Sequence, residues 1–424
     1  MKLKPAPFKF KPFSHKQLQV LTWWLPNSPV KDKDGIICDG SVRSGKTTVM
    51  ALSYVMWAME TFSDENLGMA GKTIGSFRRN VVSPLKRMLK SCGYRVKDHR
   101  ADNLLTISFH GQANYFYIFG GKDESSQDLI QGITLAAMFF DEVALMPESF
   151  ANQAMARCSV DGSKLWFNCN PEGPYHWFKL NFIDQLKEKN MVHLHFTMDD
   201  NLSLSEQIKQ RYQRMYSGVF YRRYVAGEWV LAEGLVYDMF SREKHVVPIK
   251  DRHYAQYYVS VDYGMQNPMV YELWGYCDHV WYMIKEYYYS GRDKDRQKTN
   301  SEYMQDFKDF VGKRRLRGVI VDPSATSFIE ELNRARYYVI KAENNVLTGI
   351  ENTSVALNQG LIKFNDCCKN TFKEFSSYVW DEKAAERGED KPVKQFDHTQ
   401  DGIRYFVQTV LFRPKAVISS RSGW

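Results

Sequence analysis

The segment Gly40-Ser-Val-Arg-Ser-Gly45-Lys46-Thr47 constrains this chain more than any other. Two glycines bracket four residues, and a lysine and a hydroxyl residue follow at once. The apolar run 35–38 precedes it and a helix-compatible run, 47–61, follows. Strand, glycine turn and helix start in that order gather backbone N–H groups and the positive end of a helix around one point. Such a point holds phosphate. Lys46 is positioned for the β- and γ-phosphates of a nucleotide and Thr47 for Mg²⁺. Gly40, Ser41, Arg43, Ser44, Gly45 and Thr48 are the remaining candidate contacts.

A second signal bears on the same chemistry. The apolar run 135–140 ends in Asp141-Glu142. Alone, this is the pattern of any strand that stops before a solvated loop. Beside a phosphate loop, Asp141 reads as a Mg²⁺ ligand acting through water. Glu142 reads as the group that polarises the attacking water, which implies hydrolysis and not only binding. Arg43 can either reach the γ-phosphate or pair with an acid at the surface. Gln17 can either read the adenine edge or sit on a helix surface. Asn168 and Asn170, at the end of the run 164–168, can sense the γ-phosphate or simply shape an Asn-Pro turn at Pro171.

The chain of 424 residues suits two domains, and 44% hydrophobic with 25% charged residues excludes global disorder. No apolar run approaches the ~20 residues of a membrane span. The N-terminal stretch carries Lys2, Lys4, Lys9, Lys11 and Lys16, interrupted by Pro5, Pro7 and Pro12, and reads as a basic tail without a secretory leader. The net charge of +8 permits a polyanionic partner. Seven scattered cysteines without a CxxC pair point to reduced thiols in place of disulfides or zinc. Short β-rich runs alternate with helical runs throughout, the pattern of an α/β protein. Strands are expected at 35–38, 104–109, 115–119, 135–140 and 164–168, then at 257–261, 270–276, 280–288 and 318–321. Helices are expected at 47–61, 205–216 and 400–412. The segment 227–250 joins the halves, with the linker proper at 231–250.

The second half carries acids where strands stop. Asp262 closes the run 257–261, and Asp322 follows four apolar residues and precedes Pro323. His398 and Asp401 lie at a helix start in Asp397-His398-Thr-Gln-Asp401-Gly-Ile-Arg404-Tyr405. Each acid alone reads as a loop or helix cap. Together they can converge on one sheet edge, as in an RNase H-type nuclease. Clustered carboxylates repel unless cations sit between them, and all-oxygen donors favour two Mg²⁺ or Mn²⁺ ions over zinc. His398 can ligate, shuttle a proton or sit at the surface. Lys313-Arg314-Arg315-Leu316-Arg317 can grip DNA near those acids or form a solvated loop. Trp23-Trp24 and Tyr287-Tyr288-Tyr289 can stack on bases, although packing is the commoner use.

The order of these features resembles the large terminase subunit of tailed bacteriophages, and within it the PBSX-like branch. The features are the phosphate loop, Asp141-Glu142, Asn168-Cys-Asn170-Pro171-Glu172-Gly173-Pro174, Gly227-Glu228-Trp229 and the late acid set. The resemblance covers nearly the whole chain. It implies a P-loop (ASCE-type) ATPase domain at 1–230 followed by an RNase H-like nuclease domain at 251–424. It implies ATP-driven translocation of double-stranded DNA into a procapsid and metal-dependent cutting of concatemeric DNA. Lys46, Thr47, Asp141 and Glu142 then map onto the ATPase machinery, with Asn168 and Asn170 in its coupling motif. Asp262, Asp322 and Asp401 map onto the metal-binding acids, with His398 close by. A small terminase subunit, a portal ring, a monomer that assembles as a pentamer at the portal, and the cytoplasm of a bacterial host are implied as well. Two other classes fit parts of the pattern: a translocase or helicase whose second domain binds DNA without cutting, and a scaffold that uses ATP as a switch. Glu142 speaks against the scaffold, since a pure binder needs no water-polarising acid.

Overall fold

The computed structural model describes residues 8–264, 268–291 and 296–412. Lys2 and Lys4 of the basic tail lie outside these. The chain divides into two compact units. The first comprises the described residues of Met1–Gln213 with Val219–Leu231 and Glu386–Glu389; the second comprises those of Arg214–Gly218, Ala232–Ala385 and Asp390–Trp424.

The first unit is built on eight strands: β1 (Gly35–Gly40), β2 (Asn66–Gly71), β3 (Arg95–His99), β4 (Leu104–Phe109), β5 (Gln112–Gly120), β6 (Ala137–Asp141), β7 (Lys164–Asn168) and β8 (Met191–Phe196). Their order in the sheet is β3-β4-β5-β2-β6-β7-β1-β8. The six strands from β5 to β8 run parallel, and β3 and β4 add an antiparallel margin. Parallel strands covered on both faces read as continuous apolar runs, which is why β1 and β6 are buried along their whole length. Alternate residues feed two cores. Ile36, Cys38, Phe139 and Trp166 meet Val49, Met50 and Tyr54 of the helix Lys46–Thr61. Ile37, Met138, Phe140 and Phe167 meet Val143 and Phe150 on the other face. The expected turn at His110-Gly111 is a two-residue hairpin with φ of +47° and +87°, so β5 starts at Gln112, ahead of the expected 115.

The second unit holds β9 (Val246–Val247), β10 (Gln256–Asp262), β11 (Met269–Cys277), β12 (Val280–Tyr289), β13 (Gly318–Val321), β14 (Val339–Lys341) and β15 (Ile362–Asn365). The order is β14-β13-β10-β11-β12-β15-β9. An antiparallel meander β10-β11-β12 carries β13 and β14 parallel to β10 on its outer side. This is the strand arrangement of an RNase H-like sheet. The stretch 231–250, expected as a linker, is structured. Ala232, Val236 and Tyr237 are buried, Arg242–His245 is a helical turn, and β9 pairs with β15. Its many loop-forming residues hid a two-residue edge strand that only the pairing partner defines. The expected helix 400–412 begins earlier, at His398, and after Phe406 widens into a π-helix, Val407–Leu411.

Candidate active sites

In a parallel sheet the carboxyl ends of neighbouring strands share one edge, and ligands bind there. β1, β7 and β6 are adjacent, so Gly40, Asn168 and Asp141 end side by side, with Asp141 in register with Asn168. The loop after β1 turns sharply. Gly40 has φ +120°, and a Cβ there would lie 1.9 Å from the Phe196 carbonyl oxygen. Gly45, at φ +89°, starts the helix Lys46–Thr61. Lys46 is buried, and its Nζ donates to the carbonyls of Gly40 (3.0 Å) and Ser41 (2.7 Å), to Ser44 Oγ (3.2 Å) and to Asn170 Oδ1 (3.3 Å). Burial pushes its pKa down to about 8.

Thr47 Oγ1 donates to Asp141 Oδ1 at 2.9 Å, and Asn168 Nδ2 donates to the same oxygen at 2.8 Å. Burial, then repulsion from Glu142, raises Asp141 to about 6 despite these bonds. Glu142 sits in the left-handed region, at φ +61°, where a non-glycine residue is uncommon. Its N–H donates to Asn168 Oδ1 at 3.3 Å, so one amide holds both acids. Burial raises Glu142 as well, offset by the charges of Lys72 and Lys46. These groups surround a cavity of about 470 Å³ that Arg43, Ser44, Gly45, Lys46, Thr47, Thr48, Asp141, Glu142, Asn168 and Asn170 line. Of the expected contacts, Gly40, Ser41 and Gln17 do not line it. Gly40 and Ser41 act through their carbonyls on Lys46. Gln17 caps its own helix, its Oε1 accepting from Ser14 N at 3.0 Å. Arg43 Nε donates to the Tyr212 hydroxyl at 2.6 Å, so the guanidinium is held by a tyrosine and not by an acid.

Three features of this site were not legible as such. Asn80 and Asn201 also line the cavity, and Asn201 Nδ2 fixes the loop through the Arg43 carbonyl at 2.7 Å. Behind the loop, buried Asp39 accepts from Trp229 Nε1 at 2.7 Å and bonds His193 Nε2 (2.9 Å) and His195 Nδ1 (3.0 Å). Burial alone would raise Asp39; these bonds hold it well below the usual carboxylate range instead. Gly227, at φ +80°, closes on His195 and on the Ser41 N–H. The segment Gly227-Glu228-Trp229 therefore braces the phosphate loop from beneath.

In the second unit, β10 and β13 are parallel neighbours with Val261 opposite Val321, so Asp262 and Asp322 leave the sheet side by side. The helix His398–Phe406 packs over that edge. His398 Nδ1 lies 2.9 Å from Asp262 Oδ2, Arg404 donates to Asp401, and the Tyr405 hydroxyl donates to Asp322 Oδ2 at 3.2 Å. Asn344 Nδ2 (3.1 Å) and Ser324 N (2.7 Å) also donate to Asp322. Asp262, Asp322 and Asp401 all bear on Tyr405, whose hydroxyl is held neutral by burial and by their charges. Burial, with Asp401 adding repulsion, raises Asp262 to about 6. Burial would lower His398, but its bond to Asp262 wins and raises it. Asp322 is lowered, its donors outweighing burial.

Among the described residues, no three His, Cys, Asp or Glu side chains are already gathered as a closed metal cage. The donor chemistry nevertheless fits a hard divalent cation. Carboxylates on three elements bear on one edge, and a cation there would offset both the burial that chiefly raises Asp262 and the smaller repulsion from Asp401. The sequence missed the supports: Arg404, Tyr405, Asn344 and Glu374, whose Oε2 caps the helix at Thr399 N (2.7 Å). One expectation is corrected. Arg315 and Arg317 lie beside Ala255, Gln256 and Tyr257, at the start of β10 and β13, whereas Asp262 and Asp322 lie at their ends. The basic cluster is thus on the far edge of the sheet from the acids. Tyr287, Tyr288 and Tyr289 bond to Asp306, Glu374 and the Arg296 carbonyl, which is packing and not base stacking.

Residues 37–244 match the family model described as terminase large subunit, T4likevirus-type, N-terminal. Among solved structures, the large terminase of a thermophilic bacteriophage is similar at 69% identity and a TM-score of 0.91. That match covers 95% of this chain and 100% of that one. The same phage protein in complex with ADP aligns at 68% identity and a TM-score of 0.88, with the same coverage. Its complex with ATP-gamma-S aligns at 67% and 0.88, again over 95% of this chain and 100% of that chain. No curated protein matches the chain.

Proposed function

The chain belongs to the large terminase family of DNA-packaging ATPases and nucleases, and we propose that the two activities divide between its two units at the residues described above. The first unit is the motor and the second, to which Ala232 onward belongs, is the nuclease. The observation that carries the motor is the single cavity that brings Lys46, Thr47, Asp141 and Glu142 together. The thermophilic phage terminase structures with ADP and ATP-gamma-S support a nucleotide as its occupant.

Lys46 offers its ammonium to the phosphate chain, at a site whose loop carbonyls already fix its direction. Thr47 and Asp141 are the groups that would hold Mg²⁺, whose charge would offset that of the β- and γ-phosphates. Glu142 orients the attacking water, and Asn168 keeps its backbone in the strained conformation that aims it. Asn170, on Lys46, is placed to report the presence of the γ-phosphate. The exposed Arg43, held by Tyr212, must leave that partner before it can contribute charge.

In the nuclease unit, Asp262, Asp322 and Asp401 are the groups that would hold Mg²⁺ or Mn²⁺. Such ions, when held there, would supply an activated water and stabilise the leaving oxygen. His398 positions Asp262 and Arg404 positions Asp401. The partners we assign are double-stranded DNA, a small terminase subunit and a portal ring, with a free monomer that forms a pentamer at the portal. The host cytoplasm is the assigned location; among the described residues no helix is long and apolar enough to cross a membrane. The full-length likeness to a large terminase leaves a non-cleaving translocase without support.

The test uses the full chain. Lys46→Ala abolishes ATP turnover and leaves metal-dependent plasmid cutting; Asp262→Ala does the reverse. Loss of both activities in either folded variant would refute the division.

A further inference from the structure

Between the helix Ser83–Ser91 and the strand β3 lies a groove of about 650 Å³. Arg78, Lys86, Arg87, Lys90, Arg95 and Arg100 line it against one carboxylate, Asp98. Asp98 takes Arg78 and Lys86, both at 2.8 Å, and Arg100 at 3.8 Å. Arg87, Lys90 and Arg95 are exposed and have no carboxylate partner among the described residues. The helix SPLKRMLKS holds no acid at all, and it turns Leu85, Met88 and Leu89 inward so that its cations face out. Like charges at Lys86 and Lys90 disfavour a helix at this i,i+4 spacing. Charge on the edge strand β3 deters strand pairing, but that purpose does not extend to the helix wall. Apolar lining is limited to Val82, Val96 and Tyr94, too little to anchor a peptide by side-chain burial.

The groove connects to the nucleotide. After β2 the chain forms a short helix capped by Thr73, then a π-helix, Arg78–Val82. Within those five residues Asn80 lines the nucleotide cavity, while Arg78 and Val82 line the groove. Widened π turns recur at functional sites because they re-aim successive side chains. Val81 and Val82 are buried, so the turn moves with the core and not as a free loop.

We propose that this groove grips the phosphate backbone of the DNA duplex, and that the turn Arg78–Val82 couples that grip to the nucleotide cavity. The assignment rests on the first unit being the packaging ATPase. A phosphate row presents one charge per ~3.4 Å of each strand, so a wall of cations engages several at once.

The experiment measures affinity of the full chain for a short fluorescent duplex of arbitrary sequence across a salt series, and ATP turnover with and without duplex. In R87E/K90E, affinity falls at least about tenfold, and the log–log salt slope becomes shallower by about 0.9 for each phosphate no longer neutralised. Turnover without duplex reports the nucleotide site separately. If the charge reversal does not fold, R87Q/K90Q gives the same change of slope. Asn80→Ala keeps duplex affinity but loses the rise in turnover on adding duplex. An unchanged slope in a folded variant, while the wild type binds, overturns the groove and leaves the packaging reading intact. Selective binding of poly-glutamate over duplex overturns the choice of ligand. A wild type that neither binds duplex nor responds to it overturns the packaging reading itself. Wild-type stimulation in Asn80→Ala overturns the coupling route.

Discussion

Gly402 offers the sharpest test of how the nuclease acids are positioned. It lies one residue after Asp401, where the helix His398–Phe406 crosses β11. A Cβ built there would sit 2.6 Å from Glu272 Oε2, 2.7 Å from its Cδ and 3.0 Å from Oε1. Glu272 is fully buried and bonded to Ser260 Oγ at 2.8 Å, so it has no room to swing aside. Restoring a contact of 3.4 Å, the short limit of ordinary packing, requires the helix to retreat by about 0.8 Å, the difference from 2.6 Å. Overpacking of this kind costs about 1–3 kcal/mol, and the helix gain of alanine over glycine offsets about 0.5–1 kcal/mol of it. The second unit in Gly402→Ala should therefore melt lower, by about 2–4 °C for each kcal/mol lost. The larger effect falls on chemistry, because His398 and Asp401 ride on the displaced helix. A shift approaching 1 Å lowers rates by up to about 10²-fold. The assay is plasmid cutting with Mg²⁺ or Mn²⁺, with ATP turnover as the internal control. Cutting falls about 10- to 100-fold and turnover is unchanged. Glu272→Asp withdraws the carboxyl by one C–C bond, about 1.5 Å, and restores cutting in the double variant. Full cutting and an unchanged melt in Gly402→Ala would mean that the close approach to Glu272 does not position the helix.

Glu272→Gln should stabilise the protein increasingly as pH rises. Burial holds the Glu272 carboxyl well above its ordinary 4.5, so the native state resists ionisation that the unfolded chain welcomes. The penalty is absent below about 4.5 and grows above it, and melts of the two proteins between pH 5 and 8 (a window set by that linkage) should diverge with the variant on top. Asn168→Ala removes the acceptor of the Glu142 N–H and a donor to Asp141. A charge-assisted bond contributes about 1.5–3 kcal/mol, so kcat should fall about 10- to 100-fold while ADP affinity changes far less. Equal losses in kcat and ADP affinity would make Asn168 a nucleotide ligand instead. Trp229→Phe takes the 2.7 Å donor from buried Asp39 and should cost about 1.5–3 kcal/mol in thermal unfolding; an unchanged melt would show that the two histidines satisfy Asp39 alone.

Most residues lining the cavity beside Lys46 were legible in the sequence because they lie close together in the chain. A strand ending at Gly40, five loop residues and a helix starting at Lys46 lie next to one another in the chain, so sequence order is already spatial order. The apolar run before Asp141 fixed that acid at a strand end, and parallel pairing then brought it to the loop. Asn80, Asn201 and the pair His193 and His195 escaped because single polar residues carry no periodic or spacing signal. The edge strands β9 and β14 and the interior β15 escaped for a related reason: two to four residues have no alternation to read, and only pairing with a neighbour makes them strands. The basic run 313–317 and the strand 318–321 were both visible, but the nearness of that run to Asp322 in sequence is not nearness in space. Four residues of β13 put the two at opposite ends of the sheet, roughly 13 Å apart at 3.3 Å per residue.

The sequence by itself determined the chemistry available: a phosphate-loop motif with its lysine and threonine, a strand closing on two acids, and a later set of carboxylates. Tertiary structure decided what each group faces. It gave Arg43 to Tyr212, turned Gln17 into a helix cap, set Tyr405 among three carboxylates and braced the loop with Trp229 through Asp39. The physical reason is range. Backbone turns and hydrophobic runs are encoded within a few residues, whereas burial, counter-charge and hydrogen-bond partners come from segments tens to hundreds of positions away.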